Sequence, residues 1–145
     1  MKEQIMNTFA TMGFVLKEVE GFGYGFSYEG NNCLYMPSDD DQEFLNFAIP
    51  TEFEVTEDNT QPALMLMDCL NSTLKYVKAN RLGDRIWVFY ERELYGGEDL
   101  EKLMLHMILH LEAAMDFFHN AMANIKKEFD NSDDDTSASD TEEAA

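Results

Sequence analysis

His106 and His110 stand four residues apart in a segment of helical periodicity, which puts both imidazoles one turn apart on the same side of a helix. That is the spacing two ligands of a transition metal would use. Asp99, two turns upstream of His106, is the carboxylate placed to join them. The glutamate that a zinc protease holds between its histidines as general base is missing, and His119 falls on the opposite flank of the helix. The pair therefore reads as two polar residues bordering a core stripe, and no metal or other cofactor is expected.

Three other groups invite chemistry and are set aside for physical reasons. Asp39, Asp40 and Asp41 are consecutive, whereas a calcium loop needs acids at alternate positions and a glycine where Glu43 stands. Gly21, Gly23 and Gly25 resemble a phosphate loop in glycine count alone. They lack a Lys-Ser/Thr ending and lie inside a strand pattern, where glycine lets another element approach closely. Cys33 and Cys69 sit among apolar neighbours and read as thiols of a reducing compartment, so the expected location is cytoplasmic. No catalytic residue is assigned.

Charge narrows the partners. The chain of 145 residues carries a net −19; residues 130–145 contribute seven acids and no base, leaving −12 on residues 1–129. A body of that sign repels phosphate backbones and anionic lipid, so neither nucleic acid nor a membrane is an expected partner. The cations Lys75, Lys78, Arg81, Arg85 and Arg92 form the only basic concentration, suited to pairing with neighbouring acids or docking an acidic segment. The N-terminus reads as an amphipathic helix and not a signal peptide, and no apolar run reaches membrane-spanning length.

These residues need elements to hold them. Ile5, Met6, Phe9 and Met12 mark one helical face ending at Gly13. In Phe22–Tyr28 every second residue is aromatic, a strand with one bulky and one bare face, and Glu29–Asn32 turns it into Cys33–Met36. Glu43–Pro50 alternates again as a third strand. Thr60 and Pro62 open a second helix with a stripe of Leu64, Met67, Leu70 or Asn71, and Leu74. A hairpin of Tyr76–Leu82 and Arg85–Glu93 follows, its second strand apolar on both faces. The fold class is α+β in the order α-β-β-β-α-β-β-α, one domain over 1–129. The acidic tail 130–145 has nothing to bury and is expected to be disordered.

The last helix, expected to end near Phe129, carries more apolar surface than one contact needs. Leu100, Leu103, Met104, Met107, Leu111, Ala114, Phe118, Met122, Ile125 and Phe129 trace a core stripe. Leu105, Leu109, Ala113 and Phe117, four apart, make a second band that calls for a second partner: another subunit or a bound protein segment. The alternative is that this band lies under the first helix.

The element order, together with Leu45-Asn46-Phe47-Ala48-Ile49-Pro50, the segment Tyr76-Val77-Lys78-Ala79-Asn80 leading to Ile86-Trp87-Val88-Phe89, and the Leu- and Met-rich closing helix, resembles the type III secretion chaperone-like fold, and within it the bacterial YbjN-like branch. The resemblance covers about residues 1–129. It implies a homodimer that binds extended segments of protein partners in apolar surface grooves, without nucleotide or catalytic residues. A second expectation is a small-ligand or regulatory module, with the aromatic strand and Trp87 lining a pocket.

Overall fold

The computed structural model describes the backbone of residues 1–142 and the side chains of residues 1–130. Helix α1 spans Lys2–Thr11 and buries Ile5 and Phe9. Gly13 ends it in the left-handed region, with Gly13 N–H donating to Ala10 C=O and Phe14 N–H to Phe9 C=O. This is a Schellman cap, complete with its apolar contact: the Phe9 and Phe14 rings meet edge to face at 5.8 Å.

Six strands then form one antiparallel sheet: β1 (Lys17–Val19), β2 (Gly23–Tyr28), β3 (Asn31–Tyr35), β4 (Phe44–Glu54), β5 (Val77–Leu82) and β6 (Arg85–Glu93), in spatial order β1-β2-β3-β4-β6-β5. The sequence reading counts five. The sixth is β1, three exposed residues between the Gly13 helix end and the Phe22–Tyr28 strand, too brief for alternation to reveal. Strand β4 also runs past Pro50 to Glu54, because a register shift after Pro50 lets the pairing with β6 resume at Glu54. Thr51, buried in that irregularity, donates its hydroxyl to Ile86 C=O at 2.7 Å and accepts from Phe53 N–H. Glu29 and Gly30 both have positive φ, the mark of a two-residue hairpin turn between β2 and β3. Gly23 is the glycine the packing demands: a Cβ there would lie 2.2 Å from the Tyr35 carbonyl oxygen.

A 3-10 turn (Glu57–Asn59) leads into α2 (Thr60–Thr73), and α3 covers Leu100–Glu142. Helix α2 starts where Thr60 and Pro62 predict, but Thr60 is its first helical residue and not its cap: the cap position is Asn59, which makes no side-chain cap bond, and the Thr60 hydroxyl donates back to Thr56 C=O. The apolar stripe is rotated as well. Ala63, Leu66 and Leu70 are buried, while Leu64 is 59% exposed. Four apolar residues in a row, Ala63–Leu66, made the phase ambiguous. Helix α3 passes Phe129, where the sequence places its end. From residue 131 onward the side chains of the predicted tail lie outside the described residues.

All three helices pack on one face of the sheet. Phe9 is the hub at one end, its ring within 4.8–5.8 Å of Phe14, Phe26, Tyr35 and Phe47. Met104, Met107, Leu111, Ala114 and Phe118 of α3 join Ile86, Val88 and Tyr90 of β6 in the same core. Ile108, Met115 and Ala121 are buried as well, so the core stripe is wider than the sequence suggests. The opposite face holds a smaller cluster of strand residues alone, Leu34, Ala48, Trp87 and Phe89. Strand β6 is thus apolar on both faces because both are buried.

Candidate functional site

Three features of this frame carry functional interest: a tyrosine–histidine cluster, an open sheet edge with apolar surface beside it, and the outward side of α3.

The cluster is built on α3 and β6. His106 and His110 lie side by side, ring centroids 4.0 Å apart, and Tyr90 OH sits 3.2 Å from His106 Nδ1. His110 Nδ1 lies 2.9 Å from the His106 carbonyl, which can only accept, so Nδ1 carries the proton. Tyr76 adopts φ +69°, an uncommon conformation for a bulky residue, and its ring stacks parallel on Tyr90 at 5.7 Å. Its edge geometry also reaches both imidazoles. Burial, then the neighbouring His110 and Arg92, hold the His106 pKa below its usual value. Desolvation holds Tyr90 up, keeping the hydroxyl a donor.

Asp99, the carboxylate the sequence offers as a third ligand, is occupied otherwise. It caps α3, accepting from Lys102 N–H at 3.2 Å. Glu98 accepts from Tyr95 N–H and Gly96 N–H at 2.8 Å and pairs with Arg92 at 3.0 Å. The Tyr95 bond foremost, with Gly96 and Arg92, holds its carboxyl below the ordinary range. These acids organise the turn into α3. His119, on the other flank, pairs with Glu52 at 2.7 Å. Among the described residues no three His, Cys, Asp or Glu side chains are grouped to hold a metal.

The cysteines stand apart. Cys33 is buried and its thiol is pushed up to about 12, first by desolvation and then by Glu112. One Glu112 carboxylate oxygen is itself buried without a hydrogen-bond partner in the structure. Cys69 is half-buried on α2. Three of the basic residues are engaged: Lys78 pairs with Glu91, Arg92 with Glu98, and Arg85 donates to Thr51 C=O.

The two edges of the sheet are treated differently. At β5, the Asn71 side chain from α2 accepts from Ala79 N–H (2.7 Å) and donates to Ala79 C=O (2.9 Å), so the helix satisfies that edge at Ala79. At the other edge β1 pairs, among the described residues, with β2 alone. Beside it lie Val15 (82% exposed), Val19 and Phe22, with a depression of about 680 Å³ lined by Val15, Val19, Gly25, Leu34 and Pro50. Phe22 stacks on Trp87 at 5.4 Å and Trp87 on Phe89 at 6.0 Å, a row of rings leading from the open edge across the outer face. The sequence singles out this aromatic strand and Trp87. It does not single out Val15 and Val19, whose significance depends on the edge beside them.

The second band of α3 is placed as follows. Leu105 (41%) and Leu109 (43%) are exposed, as is Ala113, while Phe117 is half-buried against the main core. The first helix does not cover Leu105 or Leu109. Three members therefore share one outward surface, and the fourth turns toward the core.

Comparison with known proteins adds the fold. No family model matches the chain, and no curated protein matches it. Among solved structures, the crystal structure of YbjN from E. coli, provisionally assigned as a transcription regulator, superposes with a TM-score of 0.62 at 12% identity. The match covers 88% of this chain and 93% of that one. The chain folds like YbjN. At this identity the likeness concerns architecture: the antiparallel sheet, the helices on one face and the long closing helix. Among the described residues no helix is long and apolar enough to cross a membrane.

Proposed function

We propose that the protein is a non-enzymatic, cytoplasmic protein-binding module, chaperone-like and dimeric, that takes up extended segments of partner proteins. One observation carries the reading: among the described residues β1 leaves its outer edge unpaired next to exposed Val15, Val19 and Phe22, while β5 at the far edge is engaged at Ala79 by Asn71. An extended segment laid along β1 would gain main-chain hydrogen bonds from the edge and side-chain contacts from the depression. The secretion-chaperone resemblance implies uptake of extended partner segments in apolar surface grooves, which agrees with the apolar depression beside β1. The acidic body disfavours nucleic acid as the target, and several of the basic side chains are engaged with acids or backbone. A regulatory role, as provisionally assigned to YbjN, would on this reading act through protein contacts.

Selection of displayed peptides on the immobilised protein tests the proposal. Enriched sequences should be extended and alternately apolar, and Val15→Asp should abolish their binding while leaving the melting temperature within a degree or two, because Val15 is a surface residue. Failure to enrich any sequence, or enriched binders indifferent to Val15→Asp, would refute the edge as the binding surface. Stabilisation by one metabolite with no peptide binding would favour the small-ligand alternative around Trp87.

A further inference from the structure

The outward side of α3 carries a pattern that specifies its own partner. Lys102, Leu105, Leu109, Ala113 and Asp116 are exposed, and their spacing places them on one side of the helix. Lys102 and Asp116 take part in no ion pair among the described residues. Their positions are symmetric about Leu109: Lys102 lies seven residues before it and Asp116 seven after, Leu105 four before and Ala113 four after. Two copies of α3 crossing antiparallel with Leu109 at the two-fold axis therefore set Lys102 opposite the second copy's Asp116, twice. They also set large Leu105 opposite small Ala113, twice, and Leu109 against itself. A parallel pairing would oppose like charges at both ends.

We infer that this surface is a self-complementary seam, and that its occupant is α3 of a second copy, antiparallel, with the dyad at Leu109. The inference rests on the dimeric part of the reading above and supplies its register. An isologous contact requires that residue i meeting j implies j meeting i, and the sequence satisfies this in both size and charge. The net −19 on each copy does not forbid it. At physiological salt charges beyond about 8 Å are largely screened, so the pairs at the seam decide, and these are of opposite sign. The seam from residue 102 to 116 is about 21 Å long. That lies at the small end of specific interfaces, so the dimer should dissociate on dilution.

The test is sedimentation equilibrium of the full chain from about 1 µM to about 500 µM, combined with charge reversal. Wild type should show a reversible dimer. Lys102→Asp and Asp116→Lys should each weaken it at least about tenfold, and the double variant should recover most of the loss. Cysteine pairing then fixes the register in a Cys69→Ser background. Leu109→Cys should crosslink to its own copy on oxidation. Leu105→Cys alone should not, since antiparallel copies separate those positions by about 12 Å, but it should crosslink when Ala113→Cys is added. A monomer throughout the range, a double variant no better than the singles, or Leu105→Cys crosslinking as readily as Leu109→Cys would overturn the seam. Peptide binding sensitive to Val15→Asp would survive such a failure, so the two claims stand or fall separately.

Discussion

Thr51 shows how one side chain can repair a broken ladder. The irregularity after Pro50 would strand the Ile86 carbonyl and the Phe53 amide, and the Thr51 hydroxyl serves both. Thr51→Val keeps the shape and removes both bonds. It should cost about 1–3 kcal/mol in urea unfolding; a loss under about 0.3 kcal/mol would mean that water replaces the hydroxyl. His106 supplies a pH test. Its pKa lies below that of the unfolded chain, so the unfolded state binds more protons in the window below pH 6.5. The His106 contribution to stability is therefore present above that window and is lost as pH falls through the folded value. His106→Asn should flatten the stability profile between pH 5 and 7 relative to wild type, by about one proton at most. An unchanged slope would show that the imidazole is not desolvated. What residue types alone convey is limited here. The two histidines read in sequence as border residues, and they are, but Tyr76 and Tyr90, which complete the cluster, come from the β5–β6 region and only the fold brings them to α3.

At the level of elements, the sequence speaks clearly where one periodicity persists or a turn is chemically explicit. The β5–β6 hairpin, the start of α2 and the Gly13 terminus of α1 are all legible, because Gly83-Asp84, Pro62 and a cap glycine impose local geometry. Strand β1 is not legible, being three residues long and exposed. The stripe of α2 is misphased because Ala63–Leu66 offers apolar residues at every angle. The open edge is an outcome of strand order, which no local pattern encodes. The two faces of α3 and α1 can be separated by mutation. Phe9→Ala removes the ring that ties α1 to four aromatic side chains and should destabilise by about 3–5 kcal/mol. Leu109→Asp, on the outward side, should change stability by no more than about 0.5 kcal/mol at concentrations where the chain is monomeric. Comparable losses for both would place Leu109 in the fold's own core and remove it from any interface.

For the whole molecule, the proposed division of labour is spatial. One sheet face is devoted to packing helices, the β5 edge is engaged at Ala79 by Asn71, the β1 edge is open among the described residues, and the outward side of α3 exposes Leu105 and Leu109. On this account the edge receives partner segments and α3 receives a second copy, with the acidity keeping both apolar surfaces in solution. Trp87 is the only tryptophan in the chain and is joined to the open edge through Phe22, so it reports on that edge directly. The decisive measurement is a fluorescence titration of a selected peptide against this residue. The account predicts a saturable change in Trp87 emission that Val15→Asp abolishes and Leu109→Asp leaves intact. A change that persists in Val15→Asp but vanishes in Leu109→Asp would contradict it, and would move the binding surface from the sheet edge to α3.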